Sequence, residues 1–284
     1  MQPLVSVVVP VFNGMPHLPD LTASLLAQTY PNLEIIFSEG GGSDASADFL
    51  QQIDDPRVRV TTLAPGTSAA DNWTAATMAA TGQFTKLICQ DDLLTPSAIE
   101  LQVHDLLNNP TAVMAIAQRD IVDAKGNVLY RARGLGGLPK HQRTINGNEL
   151  IRTCYLQGTN VIGEPLAVLF RTEALQAAMP WQDENPLMLD LSTYQQVAPK
   201  GDVVLRRGSV GAFRVSTSSW STRIAKQQIQ QTRQWQEDFA RSAQPAITGR
   251  EKWQAAFGRR RQTALRRAAY TVLKVKGSMK SDTS

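Results

Sequence analysis

The sequence contains little cysteine and little histidine, which argues against several classes of protein. Its 284 residues include two cysteines, Cys89 and Cys154, too few for a disulfide framework. The three histidines, at positions 17, 104 and 141, show neither metal-ligand spacing nor a nearby cysteine. A Gly-x-Ser-x-Gly elbow and a Walker-type Gly-Lys-Ser/Thr loop are also missing from the sequence. These absences disfavour zinc sites, hydrolases with that elbow and P-loop NTPases.

Long apolar runs are absent as well. No segment reaches the ~18 apolar residues of a membrane span. The apolar run at residues 5–12 contains Pro10 and follows no basic segment, unlike a signal peptide. The lack of a signal peptide and of an apolar membrane span, together with the low cysteine content, predicts a cytoplasmic protein. A content of 42% hydrophobic and 19% charged residues is ordinary for a globular chain, and 284 residues suit one catalytic α/β unit with an appendage.

Strand-like and helix-like segments alternate through the first hundred residues, which predicts a parallel sheet. The loops that follow the strands are where open α/β folds bind ligands. Predicted strands cover residues 5–12, 33–37, 57–62 and 86–89, and predicted helices cover 18–28, 43–53 with Ser43 or Asp44 as cap, 68–80 and 97–107.

The second half of the chain is less regular. A strand at residues 112–123 turns back at 128–131, and residues 202–214 suggest two short strands. From residue 222 the sequence is rich in Gln, Arg and Ala with helical spacing. Further predictions are helices at 146–155, 172–178 and 187–197 and a strand at 167–170.

An acidic pair, Asp91 and Asp92, directly follows the apolar segment 87–89. Two carboxylates at the end of a buried strand repel one another, and a divalent cation between them and a ligand would relieve that repulsion. Oxygen ligands of this kind suit Mg²⁺ or Mn²⁺. The alternative is an acidic turn that caps the next helix.

A second polar feature is Glu39, followed by Gly40, Gly41, Gly42, Ser43 and Asp44. Consecutive glycines let the backbone approach a ligand closely, and the start of the following helix favours anionic groups. The alternative is a flexible turn without chemistry.

Four runs occur in order: VSVVVPVFNG, NLEIIFSEGGGSDASADFL, APGTSAADN and ATGQFTKLICQDDLLTP. Together they resemble the nucleotide-sugar-binding half of family 2 glycosyltransferases. The resemblance covers residues 4 to about 100 well and extends more loosely to about 221. It implies an α/β glycosyltransferase A fold, a Rossmann-like, mostly parallel sheet flanked by helices, with a helical extension at the C-terminus. The implied units are a catalytic domain at 1–221, with halves at 1–110 and 111–221, and an extension at 222–284.

The resemblance assigns roles in holding the nucleotide sugar. Glu39 takes the position of an acid that hydrogen-bonds the base, and Asp44 that of the second acid of the motif. Gln90 offers neutral hydrogen bonds, and Asp91 and Asp92 form the metal motif for Mg²⁺ or Mn²⁺. The loop expected against the base comprises Pro10, Val11, Phe12 and Asn13.

Three positions depart from the family pattern. Cys89 replaces the first Asp of the metal motif, Asp71 stands where a basic residue is common, and Ser216 replaces a His. These departures keep open a catalytically weak relative that binds a sugar nucleotide or a partner. A nucleotidyltransferase is a third reading, although its Gly-rich, Lys-containing loop is missing.

An inverting transfer needs a carboxylate that removes the proton of the acceptor hydroxyl. Asp190 matches the segment that carries this base in the family, and its apolar neighbours favour a raised pKa. A helix-capping role for Asp190 is the alternative, with Asp183 and Glu184 as competing bases. Trp181 suits either sugar stacking or packing.

Arg214 matches an arginine that lies close to the donor diphosphate in the family, a group that a guanidinium fork pairs with well. The alternative is a surface ion pair.

The C-terminal stretch 250–276 carries nine cations and one acid, Glu251. Apolar residues recur among them at helical spacing, which suits a helix lying on an anionic membrane surface or a helix packed on the domain. No nucleic-acid-binding module accompanies the charge. The function implied is transfer of a sugar from a nucleoside diphosphate sugar, with UDP favoured, to a glycan or lipid-linked acceptor in bacterial surface polysaccharide synthesis.

Overall fold

A computed structural model describes residues 2–215 and 227–275, which form a ten-stranded sheet flanked by helices. The strands are β1 (Val5–Val11), β2 (Leu33–Glu39), β3 (Val58–Thr62), β4 (Phe84–Leu87), β5 (Leu93–Leu94), β6 (Ala112–Val122), β7 (Val128–Arg133), β8 (Thr144–Asn146), β9 (Val168–Arg171) and β10 (Asp202–Arg214). The α-helices are α1 (Leu18–Leu26), α2 (Ser46–Gln51), α3 (Ala69–Met78), α4 (Ala98–Leu107), α5 (Gly147–Gln157), α6 (Thr172–Gln176), α7 (Leu189–Val197), α8 (Gln228–Ser242) and α9 (Gly249–Val275). Short 3-10 helices cover Pro165–Ala167, Pro186–Met188 and Ala198–Lys200.

The sheet runs in the order β3-β2-β1-β4-β9-β6-β10-β5, with β7 beside β6 and β8 beside β10. β1 pairs in parallel with β2 and with β4, as the alternating pattern of the first hundred residues predicts, and β6 also pairs in parallel with β10. Side chains alternate between two apolar cores because strand residues point to opposite faces. In β1, Val7 and Val9 lie in one core and Val8 in the other. The buried run of the first strand therefore serves both faces of the sheet.

Four predicted elements differ from the structure. The strand expected at 86–89 lies two residues earlier, at Phe84–Leu87. The two short strands expected at 202–214 form one strand, β10, whose register with β6 shifts around Gly208, where φ is +118°. Such an irregularity inserts residues without ending a strand. The helix expected at 187–197 begins as a 3-10 turn. Neither Ser43 nor Asp44 caps α2, which begins at Ser46.

Helices α8 and α9 pack on the sheet domain. Trp235 and Phe239 of α8 belong to the same core as Tyr155 of α5. The Gln236 amide donates to the carbonyl oxygens of Tyr155 at 2.7 Å and Ala255 at 3.2 Å, linking α5, α8 and α9. The C-terminal extension therefore shares the hydrophobic core of the rest of the chain. None of the helices in the described residues is long and apolar enough to cross a membrane.

Lys86 is fully buried in β4, and its ammonium donates to Gln102 Oε1 at 2.7 Å and to the Val168 carbonyl at 3.2 Å. Burial lowers the pKa of Lys86 from 10.5 to about 7. The unfolded chain therefore holds this proton more tightly, and the free energy of unfolding should rise between pH 7 and 10.5, by up to about 1.4 kcal/mol per unit. The difference in urea stability between wild type and Lys86→Met across this range measures the effect.

Lys140→Met, which removes an exposed ammonium, is the matched control. Parallel stability curves for wild type and Lys86→Met between pH 7 and 10.5 would contradict the assignment.

Candidate functional site

The predicted site segments meet at one edge of the sheet. Strands β2 and β4 both pair with β1 in parallel, so their carboxyl ends lie side by side. The loop after β1, the glycine-rich loop after β2 and the acidic turn after β4 therefore come together. This is the edge at which open α/β sheets bind ligands.

Gln90 joins the first and third of these loops. Its Oε1 accepts a hydrogen bond from the Phe12 N–H at 2.7 Å, and its Nε2 donates to the Phe12 carbonyl at 2.9 Å. The amide predicted to meet a ligand is thus used to fix the backbone of the loop after β1. The Phe12 side chain stays 53% exposed, which leaves its ring available for stacking.

Side chains also tie the glycine-rich loop to the loop after β1. Asn13 Oδ1 accepts from the Ser43 N–H at 2.7 Å, and Asp44 Oδ2 accepts from the Met15 N–H at 2.9 Å. Asn13 has a positive φ of 51°, a conformation that asparagine adopts more readily than most residues. Asp44, which lies two residues before α2, therefore helps to order the loop after β1.

Glu39 is 3% exposed and accepts hydrogen bonds from the N–H groups of Gly41 at 3.0 Å and Gly42 at 2.8 Å. A Cβ on Gly40 would lie 2.7 Å from Asn72 Nδ2, and one on Gly41 would lie 2.6 Å from Pro65 Cα. The glycines let this loop pack closely on the protein itself. The predicted role of Glu39 towards the base remains a prediction.

The acidic turn is held by Arg214 at the end of β10. The Arg214 N–H donates to Asp92 Oδ1 at 3.1 Å, and its Nε donates to the Asp91 carbonyl at 3.0 Å. Its Nη1 donates to the Ala124 carbonyl at 2.8 Å. The Arg214 side chain is 4% exposed, and its Nη2 also pairs at 3.4 Å with Asp20, which is 63% exposed. Arg214 is thus a buried clamp that includes an ion pair with a surface residue. Contact with a diphosphate stays a prediction.

Asp92 is fully buried, and its Oδ2 has no hydrogen-bond partner among the described residues. Burial and the neighbouring Asp91 raise the pKa of Asp92 well above its usual range. Burial likewise raises the pKa of Asp91, which stays partly exposed. The pair is therefore costly to ionise in the absence of a cation.

These carboxylates fit a hard divalent cation because they offer oxygen ligands, one of them unpartnered. The described residues contain no group of three or more His, Cys, Asp or Glu side chains placed to hold a metal. A cation bound here would thus take most of its ligands from a substrate or from water, as Mg²⁺ commonly does.

Cys89 lies among four carboxylates of the site. Burial, and then the charges of Asp92, Asp91, Asp190 and Glu164, raise the thiol pKa of Cys89 well above its usual value. The thiol stays neutral. It therefore does not supply the negative charge of the aspartate that stands at this position in the family that the sequence resembles. The charge of Asp190, which is distant in sequence, thus acts on the thiol that lies just before the acidic turn.

Asp190 lies in the first turn of α7. Its Oδ1 accepts from the Leu191 N–H at 2.6 Å and its Oδ2 from Asn160 Nδ2 at 2.8 Å. Burial, and then the charge of Glu164, raise the pKa of Asp190 from 3.8 to about 7. A carboxyl with this pKa is suited to general base catalysis near neutral pH.

The other candidates from this segment are placed differently. Asp183 and Glu184 are exposed. Trp181 is 2% exposed, packs edge-on to Trp73 at 5.1 Å and donates from Nε1 to Thr77 Oγ1 at 2.9 Å. Trp181 therefore packs in the core. Ser216 lies outside the described residues.

Asn160, Glu164 and Arg119 were not expected from the sequence. Glu164 forms an ion pair with the nearly buried Arg119 and adds negative charge beside Asp190. Asn160 Oδ1 accepts from the N–H groups of Ile162 and Gly163, at 3.0 and 3.1 Å, which aims its amide at Asp190. An Asn followed three residues later by Gly is a turn signal that could have drawn attention to Asn160.

Asn160→Ala should lower kcat by up to about 100-fold, because a misplaced general base loses its alignment with the acceptor. The lost hydrogen bond favoured the ionised carboxylate, so the pKa of the rate profile should move above about 7. The measurement is kcat against pH, with Asn109→Ala as the control asparagine, whose amide bonds the Asp105 carbonyl instead. A reduced rate with an unmoved pH profile would contradict this positioning role.

Known proteins resemble both the sequence and the fold. An uncharacterized glycosyltransferase of Rickettsia typhi is 31% identical over 130 residues, 45% of this chain and 40% of that protein. The chain thus aligns with less than half of that relative.

Solved structures share the fold. The structure of S. aureus TarS 1-349 in complex with UDP superposes with a TM-score of 0.62 at 14% identity, covering 89% of this chain and 69% of that one. A mannosyltransferase from Pyrobaculum calidifontis in complex with GDP-Man and Mn²⁺ gives 0.59 at 14% identity, covering 98% and 80%. The predicted glycosyltransferase A fold is confirmed. The sequence profile of glycosyl transferase family 2 matches residues 6–176, and the chain belongs to this family.

Proposed function

We propose that the protein transfers a sugar from a nucleoside diphosphate sugar to a hydroxyl group, with inversion at the anomeric carbon. The observation that carries the proposal is that Asp190, whose pKa is raised to about 7, and the acidic pair Asp91 and Asp92 all act electrostatically on the Cys89 thiol, which follows β4. Such a site combines a general base with a group that binds a charged leaving group. Family membership supports the same reaction class.

The donor would lie across the carboxyl ends of β1, β2 and β4. The loop that Asn13 and Asp44 hold in place presents the exposed Phe12 ring to the nucleotide base. Glu39 stabilises the adjoining glycine loop and is the proposed partner of the base. UDP is the favoured nucleotide, and the TarS structure that shares this fold contains UDP.

Asp91 and Asp92 would hold Mg²⁺ or Mn²⁺. When bound, the cation neutralises charge on the departing diphosphate. The related Pyrobaculum mannosyltransferase was solved with Mn²⁺. Arg214 fixes the turn through the Asp91 carbonyl and is proposed to add positive charge near the diphosphate.

Asp190 would remove the proton of the acceptor hydroxyl as its oxygen attacks the anomeric carbon. Asn160 holds one carboxylate oxygen, and the N–H of Leu191 holds the other. Both hydrogen bonds fix the direction of the carboxylate, while burial and Glu164 keep it basic enough to accept a proton near pH 7. The proposed acceptor is a glycan or a lipid-linked glycan of bacterial surface polysaccharide synthesis, used on the cytoplasmic side.

The test is a donor assay with the purified protein, with water as default acceptor. UDP-glucose, UDP-N-acetylglucosamine and GDP-mannose are supplied with Mn²⁺ or with EDTA, and the released nucleoside diphosphate is measured. Proton NMR of the first sugar product reports inversion or retention. We expect release with one donor only, dependent on Mn²⁺ and lost in Asp190→Asn.

Two other outcomes would overturn the proposal. Binding of a donor without turnover, also in the presence of bacterial glycan extracts, would indicate a catalytically weak relative. Release of inorganic diphosphate from a nucleoside triphosphate and a sugar phosphate would indicate a nucleotidyltransferase.

A further inference from the structure

Helix α9 exposes three large apolar side chains, and two of them, Trp253 and Phe257, lie on one face of the helix. Trp253 is 69% exposed, and Phe257 and Leu265 are each 57% exposed. The rings of Trp253 and Phe257 stack, with centroids 5.9 Å apart and an interplanar angle of 9°. Single exposed apolar residues are common on proteins, but a stacked pair of exposed aromatic rings on one helix face is typical of an interaction surface.

The opposite face of α9 packs on the domain. The Glu251 carboxylate accepts two hydrogen bonds from the Arg152 guanidinium of α5, at 2.7 and 2.8 Å. Ala255 is 2% exposed, and a Cβ on Gly258 would lie 2.4 Å from the Leu156 carbonyl oxygen. At ~100° per residue, these three positions lie across the helix from Trp253. The aromatic pair therefore points away from the domain because its helix is anchored by the other face.

Cations surround the aromatic pair. Arg250 and Arg260 are exposed and lie within ~60° of Trp253 around the helix axis. Lys252 is exposed on the flank, and Arg261 donates to Gln157 Oε1 at 2.7 Å. Glu251, the acidic residue of this helix segment, forms an ion pair with Arg152 on the face of α9 that packs on the domain. The outward face is therefore apolar and positively charged, without a counter-charge of its own.

We propose that this aromatic-cationic face of α9, formed by Arg250, Trp253, Phe257 and Arg260 with Lys252 at its flank, docks on the surface of an anionic lipid bilayer. Tryptophan and phenylalanine rings bury apolar area at the level of the headgroups, while arginine and lysine meet lipid phosphates. A second copy of the chain is a poorer occupant, since two such faces would bring like charges together.

Docking of α9 would bring the part of the chain that holds Asp190 close to the membrane. α9 packs on α5 through Gly258, and Gly158, which ends α5 with φ of +63°, lies against Arg259. Two residues later, Asn160 holds Asp190. A lipid-linked acceptor would thus be used close to its bilayer, although the docking itself does not depend on the transfer reaction.

The experiment measures flotation of the full chain with vesicles of phosphatidylcholine alone or mixed with phosphatidylglycerol, without donor or acceptor. We expect binding to the anionic vesicles and its loss at high salt. Arg250→Gln/Lys252→Gln/Arg260→Gln should weaken binding on the order of 100-fold, and Trp253→Ser/Phe257→Ser should abolish flotation. Tryptophan fluorescence should shift to the blue on binding, and Trp253→Phe should remove most of that shift.

Matched controls remove similar groups elsewhere. Lys140→Gln/Arg143→Gln/Arg233→Gln removes three exposed cations, and Met78→Ser/Leu107→Ser removes two large apolar side chains exposed by 54% and 50%. Thermal melting selects variants that remain folded. Flotation that is absent, or equally affected by the control variants, would overturn the inference. A dimer in sedimentation equilibrium that Trp253→Ser dissociates would instead assign the face to a second copy. Because donor release is measured in solution, failure of docking and failure of the transferase proposal are separate results.

Discussion

Asp190→Asn should lower kcat by about 100-fold to 10,000-fold, the range that a positioned general base contributes. Asparagine has nearly the same shape and can still accept a hydrogen bond from the Leu191 N–H. It cannot accept the proton of an acceptor hydroxyl. The loss should therefore fall on kcat, while the affinity for the donor changes little. The measurement is steady-state release of the nucleoside diphosphate, with donor affinity from calorimetry.

The pH dependence makes this prediction sharper. Asp190 acts as a base only when ionised, so the wild-type rate should fall as the pH drops through about 7. The pKa of Asp190 is raised on folding, so the folded protein binds this proton more tightly than the unfolded chain. The contribution of Asp190 to stability is therefore present at low pH and is lost as the pH rises towards 7. Asp190→Asn should consequently be at least as stable as wild type at pH 8.

The controls are Asp183→Asn and Glu184→Gln, which change exposed carboxylates of the same segment. Both should retain activity close to wild type. If either of them lost activity while Asp190→Asn kept it, the base would have to be reassigned to residues 183–184, and the role of Asn160 would fall with it.

The first half of the chain was the more predictable part. The strands β1 to β3 are short, rich in β-branched residues and bounded by turn residues, so local pattern and tertiary structure agree there. β10 was harder to predict, because in the local sequence Gly208 is typical of a turn between two strands. Its pairing with β6 carries the strand across that irregularity, and such pairing is not visible in local sequence.

The candidate site likewise combines features that the sequence predicted with features that only the fold reveals. The resemblance to a known family singled out Asp91, Asp92 and Asp190, and the apolar neighbours of Asp190 predicted its raised pKa. The other groups that act on this pKa were not predicted. Glu164 and Arg119 lie far from Asp190 in sequence and meet it through the packing of separate loops. The use of Gln90 to pair with the Phe12 backbone likewise depends on two adjacent strands. The sequence thus predicted the direction of the pKa shift of Asp190, whereas the surrounding groups that contribute to it are brought together only in the assembled fold.

Asp92→Asn should raise the stability of the metal-free protein and weaken its metal-dependent binding of the donor. The side chain keeps an oxygen to accept the Arg214 N–H, so the acidic turn should keep its shape. The charge at the unpartnered Oδ2 disappears, together with the repulsion from Asp91. The asparagine amide still leaves a buried polar group without a partner, but it removes a carboxyl whose pKa is raised on folding. Such a carboxyl lowers the stability of the wild type as the pH rises above the usual pKa of aspartate, so the metal-free variant should be more stable than wild type at neutral pH.

Metal-dependent binding should respond in the other direction. Replacing an outer-shell partner of a metal costs roughly 10- to 100-fold in affinity, and loss of a carboxylate ligand should cost at least as much. Calorimetric titration of UDP with Mn²⁺ and with EDTA measures this, and thermal melting in EDTA measures stability. Asp48→Asn, which neutralises an exposed acid of α2, should change neither quantity. A variant that melts lower than wild type in EDTA yet binds UDP with Mn²⁺ normally would make Asp92 a structural residue and leave the cation to Asp91 alone.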